Sequence, residues 1–79
     1  MKKPELQPGT YRHYKGDTYE VVDVVWHTEM ESWHVLYRAI SYTFTDDAGN
    51  ESLFVRPIVE FTDTLTCNDK NVKRFTYLE

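Results

Sequence analysis

The sequence predicts an all-β domain: a small SH3-like barrel or roll of about five to six antiparallel strands, with a short 3-10 turn after Pro57. Three observations predict it. No segment sustains the 3.6-residue apolar period of an amphipathic helix, and no internal repeat is visible. β-Branched and aromatic residues gather in short runs, which suits pleated, half-buried strands. Turn-forming clusters separate those runs at spacings of roughly ten residues, the pattern of small sandwiches and barrels. At 79 residues a strongly bent barrel is favoured over a sandwich.

Met1–Pro8 carries Lys2, Lys3, Pro4 and Pro8 with only Leu6 as an apolar residue after Met1, and reads as a flexible lead-in. Residues 9–79 then form one SH3-like β domain. Gly9–Tyr14 is the first strand, because Thr10, Tyr11 and Tyr14 favour a pleated surface. Lys15-Gly16-Asp17 is a tight turn in which Gly16 supplies the positive φ of a hairpin. Thr18–His27 is the clearest strand. Val22, Val24 and Trp26 share one face, and Tyr19, Val21, Asp23, Val25 and His27 the other. An acid inside a strand apolar on both sides predicts a bend or bulge where the inner face changes.

Thr28–Ser32 is polar and acidic, hence a turn. Trp33–Ser41 is a third strand, with Val35, Tyr37 and Ala39 facing one way. Tyr42–Ser52 reads as a long extended hairpin around Asp46-Asp47-Ala48-Gly49-Asn50. Leu53–Arg56 returns as a fourth strand, which Pro57 must end or place on an edge. Ile58–Phe61 is too short for a lasting helix and suits a single 3-10 turn. Asp63–Cys67, the turn Asn68-Asp69-Lys70-Asn71 and Val72–Leu78 make a last hairpin.

Composition limits the function. Nine Lys and Arg stand against thirteen acids, a net charge of −4, which disfavours sequence-independent nucleic-acid binding by phosphate neutralisation. No apolar run approaches the ~18 residues of a membrane helix, and no signal-peptide pattern follows Met1. Cys67 is the one cysteine, so no internal disulfide forms. The expectation is a cytoplasmic protein.

A set of spaced residues carries a resemblance. Gly9-x-Tyr11-Arg12-His13-Tyr14-Lys15-Gly16-x-x-Tyr19-x-Val21 is followed by His27-Thr28-Glu29, Val35-x-Tyr37-Arg38-Ala39, Val55-Arg56-Pro57-x-x-x-Phe61 and Arg74-Phe75. This order resembles a small bacterial domain family of unknown function with the pattern Gly-x-Tyr-x-His-x-Lys-Gly, Trp-Val-Arg-Pro and Arg-Phe. The resemblance spans about Pro8 to Leu78. It implies an SH3-like β-roll and adds nothing on activity. Phe54 stands where that pattern has Trp and keeps the ring without the indole donor. Ser32 replaces a second acid in the turn, and the 42–52 hairpin is longer than usual.

Gly9–Gly16 and Phe54-Val55-Arg56-Pro57 are expected to converge and to carry whatever function the domain has. Tyr11 and His13 share one face of the first strand, Arg12 and Tyr14 the other. In a structural reading, His13 bonds a backbone carbonyl near Pro57 and Arg56 pairs with Glu29 or Glu60. In a functional reading, Arg56, His13 and an exposed tyrosine hold an anionic or planar ligand, since a guanidinium fork suits carboxylate or phosphate and rings give a stacking wall. The candidate ligand-binding residues are Tyr11, Arg12, His13, Lys15, Glu29, Tyr37, Phe54 and Arg56.

The expected function is a non-enzymatic binding module for a small anionic ligand or a peptide segment. The alternative is a small enzyme or enzyme accessory acting on a nucleotide-like or sugar-like substrate through His13 and Glu29. No nucleophile motif is present, and Cys67 has no evident base. His13, His27, His34 and Cys67 lack the spacing of a zinc site, although His27 and His34 can face each other across a hairpin. No metal or cofactor is expected. Tyr42 and Phe44 on the long hairpin, or an open edge strand, suggest a possible homodimer.

Overall fold

The structure, a computed structural model, describes all of residues 1–79. Seven strands and one helical turn follow in the order β1 (Gly9–His13), β2 (Thr18–His27), β3 (Ser32–Ala39), β4 (Phe54–Pro57), α1 (Ile58–Phe61), β5 (Thr64–Cys67), β6 (Lys70–Lys73) and β7 (Phe75–Tyr77). Five strands form one antiparallel sheet in the order β4-β3-β2-β1-β7, and β5 pairs only with β6. The sheet curls but does not close, so the fold is a roll. Its edges are β4 and β7. Pro57 removes a backbone donor at one edge, and β7 is only three residues long at the other. No helix is long and apolar enough to cross a membrane.

The bend expected in the second strand is a bulge. The β2–β3 register shifts between Val21 and Asp23, leaving Val22 without a partner. Tyr19 and Val21 face inward before it, and Val24 after it, while Val22 is 47% exposed. Asp23 turns outward, where it accepts from Lys3 Nζ at 2.9 Å and from the Val24 N–H at 2.7 Å. Lys3 thereby ties the lead-in to the sheet. Leu6 packs against the core, and the Tyr11 hydroxyl donates to the Gln7 carbonyl at 2.7 Å.

Three expectations are corrected. The segment after Pro57 is a turn of α-helix, not 3-10: the Thr62 N–H reaches the Ile58 carbonyl at 3.0 Å. The Thr62 hydroxyl donates to the same oxygen at 2.8 Å, which holds the wider turn. The 42–52 segment is a loop rather than a pair of strands, with a single bridge between Thr45 and Glu51. Its tip is ordered by Asp46 Oδ1, which accepts from the Ala48 and Asn50 N–H groups at 2.9 Å each. The last hairpin turns on Asn68 and Asp69 alone, with φ of 52° and 63°, as a two-residue hairpin turn needs.

Beyond that hairpin the chain changes partners at Arg74. The Arg74 N–H donates to the Asp63 carbonyl at 3.1 Å, and its own carbonyl accepts from the Tyr14 N–H at 2.9 Å. Nε and Nη2 donate to Asp63 Oδ1 and Oδ2 at 2.8 and 3.1 Å. This two-pronged contact fixes where β6 ends and β7 joins β1.

The core is one cluster: Tyr11, Val21, Val35, Tyr37, Phe61 and Phe75. Most of it is aromatic, and α1 delivers Phe61 onto Phe75 with ring centroids 3.9 Å apart and planes 7° from parallel. The seam of the roll, between the edge strands β4 and β7, is therefore bridged by side chains rather than by a backbone ladder.

Candidate functional site

Strand alternation decides which candidate residues meet. On β1, Tyr11 and His13 face the concave side and Arg12 the convex side. On β4, Phe54 and Arg56 face inward and Val55 is 53% exposed. The curl of the sheet then carries β4 over to β7. The Arg56 guanidinium lies over the Phe75 ring, 5.5 Å from its centroid, and His13 meets the same ring edge-on at 4.9 Å. Two segments some forty residues apart in sequence thus converge on one phenylalanine.

The hydrogen bonds of this pair are not those the structural reading names. Arg56 Nε donates to the Tyr37 hydroxyl at 3.3 Å, and no carboxylate pairs with Arg56. Neither Glu29 nor Glu60 is its partner. Its two terminal amino groups make no bond within the chain, and no buried side-chain nitrogen or oxygen lacks a partner, so neither is sealed from solvent. His13 accepts at Nδ1 from the Lys15 N–H at 3.2 Å rather than bonding a carbonyl near Pro57. The neutral imidazole therefore carries its proton on Nε2, which is unbonded within the chain. Burial lowers the His13 pKa from its usual 6.5, and the charges of Arg56, Arg74 and Lys15 lower it further, against a weaker opposite pull from Asp17. The surface is thus cationic and rich in donors, although the whole chain is acidic.

Rings wall the surface. Tyr37 is buried, with Phe54 tilted against it at 5.5 Å and Phe44 against Phe54 at 5.0 Å. Tyr19 sits edge-on to Tyr37 and to Phe75, and its hydroxyl is 3.1 Å from that of Tyr42. Burial and that hydrogen bond push the Tyr19 pKa well above the ordinary tyrosine value. Tyr42 and Phe44 therefore pack on rings of their own sheet, with 39% and 48% of their surface exposed.

Other candidates lie elsewhere. Glu29 sits in the turn beyond β2, at the far end of that ten-residue strand from the turn next to His13. No ion pair or hydrogen bond joins the two side chains across the length of that strand, so the expected His13–Glu29 pair is not made. Arg12 is exposed on the convex face, and Tyr11 is a core residue whose burial raises its pKa. Lys15 is exposed in the turn, its Nζ 5.9 Å from the Tyr14 ring centroid. The His27 and His34 rings do face each other at 4.8 Å, but no group of three or more His, Cys, Asp or Glu side chains converges to hold a metal. The fold has one cavity, and of the candidate residues only Tyr11 lines it. Reasoning by motif missed Arg74 and Phe75 as part of the site. Their signal was the Arg-Phe pair itself, the third conspicuous segment of the sequence pattern.

Residues 9–77 match the family described as "Protein of unknown function (DUF1653)". The chain belongs to this DUF1653 family. A crystal structure of a DUF1653 protein from Bordetella bronchiseptica has the same fold, with a TM-score of 0.79 and 25% sequence identity over 98% of this chain and 92% of that one. No curated protein matches this DUF1653 chain. The match begins at Gly9 and ends at Tyr77, so it takes in both edge strands and the His13, Arg56 and Phe75 positions.

Proposed function

We propose that this DUF1653 domain is a non-enzymatic binding module for a small anionic ligand, held by Arg56 and His13 at the seam of the roll. The observation that carries the reading is the Arg56 guanidinium, half-buried against Phe75 and Tyr37 with its amino groups unpaired and open to solvent. Beyond the Nε bond to Tyr37, the guanidinium satisfies its donors with water, and an incoming carboxylate or phosphate replaces that water with a charge-assisted fork. The His13 Nε2–H adds a donor at the same place. A site offering only donors selects ligands offering only acceptors. Phe54, Phe44 and Tyr42 supply a wall for a flat or extended portion of the ligand, and we assign the loop rings to that wall rather than to a contact between copies. We favour this reading over the enzyme alternative, whose His13 and Glu29 lie beyond opposite ends of β2.

The test is a titration of the folded protein with inorganic phosphate and with acetate, followed by NMR at the His13 ring and the Arg56 Nε–H. Saturable shifts at both groups are expected in the wild type, and their loss in Arg56→Ala with an unchanged amide spectrum elsewhere. Equal binding of both anions by Arg56→Ala would refute the assignment.

A further inference from the structure

The fold has a cavity of about 200 Å³, and it is not the His13–Arg56 surface. The rings of Phe61 and Phe75 line it, as do Tyr11, Tyr77 and Leu6, the last contributed by the segment before β1. Lys73 of β6 is its one charged lining residue. We propose that this cavity is a second binding site, distinct from the anion surface, for a ring-sized apolar group that carries a carboxylate.

Size sets the first half of the ligand. A cavity of about 150 Å³ is enough for a benzene ring, and drug-sized or nucleotide ligands need roughly 300 Å³ or more. A volume near 200 Å³ therefore admits one ring or a branched aliphatic group, with the remainder of a ligand outside the open mouth. The lining agrees, since five of its seven residues are hydrophobic and rings dominate. Edge contacts already mark the wall: Tyr11 stands edge-on to Phe61 at 5.4 Å and to Tyr77 at 5.3 Å. A guest ring meets further edges and faces of the same kind.

The polar groups set the second half. Lys73 enters none of the ion pairs of the fold, so its ammonium is free to receive an anion. The Tyr77 hydroxyl accepts from Gln7 Nε2 at 3.1 Å and keeps its own proton to donate. The Tyr11 hydroxyl is already committed to the Gln7 carbonyl. The unused polar groups are thus a cation and a donor, and a carboxylate suits both. Two sources share this chemistry: a free aromatic acid, or the C-terminal residue of a peptide ending in Phe or Leu.

The experiment uses the full chain and amide NMR, with three probes: phenylpropionate, its alcohol phenylpropanol, and an acetylated hexapeptide ending in Phe. Saturable shifts are expected at Leu6, Tyr11, Phe75 and Tyr77 with the acid, the peptide or both, and the tighter binder identifies the source. The alcohol should bind about threefold to tenfold more weakly than the acid, the range for an exposed charge pair supported by a hydrogen bond. Lys73→Gln, at an exposed position, should keep the folded spectrum and bring the acid down to the alcohol. Shifts confined to His13 and Arg56 overturn the proposal, as does an acid that binds no better than its alcohol. Failure of both acid and peptide to saturate any cavity residue also overturns it.

Discussion

Replacing Phe75 with Leu tests the seam directly. Phe75 is 5% exposed, stacks on Phe61 at 3.9 Å, and meets Tyr19, Tyr37 and His13 edge-on. Leucine keeps the position apolar but removes every ring contact and the seat of Arg56. An aromatic pair contributes about 0.5–1.5 kcal/mol beyond its buried area, and an exposed cation over a ring about 0.5–1 kcal/mol. The contacts share one ring and do not add fully, so the expected loss is about 2–3 kcal/mol. A chain of 79 residues has roughly 4–12 kcal/mol of stability, so the variant should still fold. With a urea slope of about 1 kcal/mol per molar, the unfolding midpoint should fall by about 2–3 M. Val59→Ala, at a position 73% exposed, is the control and should stay within about 0.5 kcal/mol of wild type. Pairing Phe75→Leu with Phe61→Leu completes a cycle in which the two losses should fall short of additivity by about 1 kcal/mol. A Phe75→Leu loss below about 1 kcal/mol, or strict additivity, would show that the stacked rings do not hold the seam.

Two further outcomes follow from named geometry. The folded pKa of His13 lies below its ordinary 6.5, so the unfolded chain takes up this proton first as pH falls. Its contribution to stability is therefore intact above pH 6.5, declines as pH drops through the folded pKa, and is constant below that. The His13 ring shift followed against pH should titrate below 6.5 in the wild type and move upward in Arg56→Ala, which removes a neighbouring cation; an unmoved midpoint in that variant contradicts the geometry. Gly9 has φ of +135°, and a Cβ there would press on the Glu79 carbonyl, the acceptor for the Thr10 N–H at 2.8 Å. Gly9→Ala should cost at least about 1 kcal/mol by urea unfolding, and an unchanged midpoint would show that the C-terminal residue is not held there.

The strands were legible where side-chain chemistry is local. β-Branched density marked β2, and an acid in an apolar strand marked its bulge. Gly16 marked the first turn. What was hidden depends on contacts distant in sequence. Nothing local shows that Arg74 splits the last strand, because its partner Asp63 lies eleven residues back. The α-turn at Ile58–Phe61 depends on a Thr62 hydroxyl that a 3-10 reading ignores. The connection after Ser41 carries strand-forming residues, yet it keeps only the Thr45–Glu51 bridge of the hairpin they suggest. The meeting of His13 and Arg56 was legible as two conspicuous segments. Glu29 was misplaced because a motif gives order along the chain and not the length of strand in between. The cavity at Lys73 had no sequence signal, since its lining comes from the lead-in, β1, α1, β6 and β7.

A roll shut by side chains behaves differently from a closed barrel. Parting β4 from β7 gives up ring and guanidinium contacts but breaks no main-chain ladder, because none joins them. The two margins can therefore separate at a lower free energy than strands β1 to β3, whose neighbours on both sides are hydrogen-bonded. Phe75 serves this hinge as its clasp, and it also lines the open pocket beside Lys73, so any widening of the mouth alters both places at once.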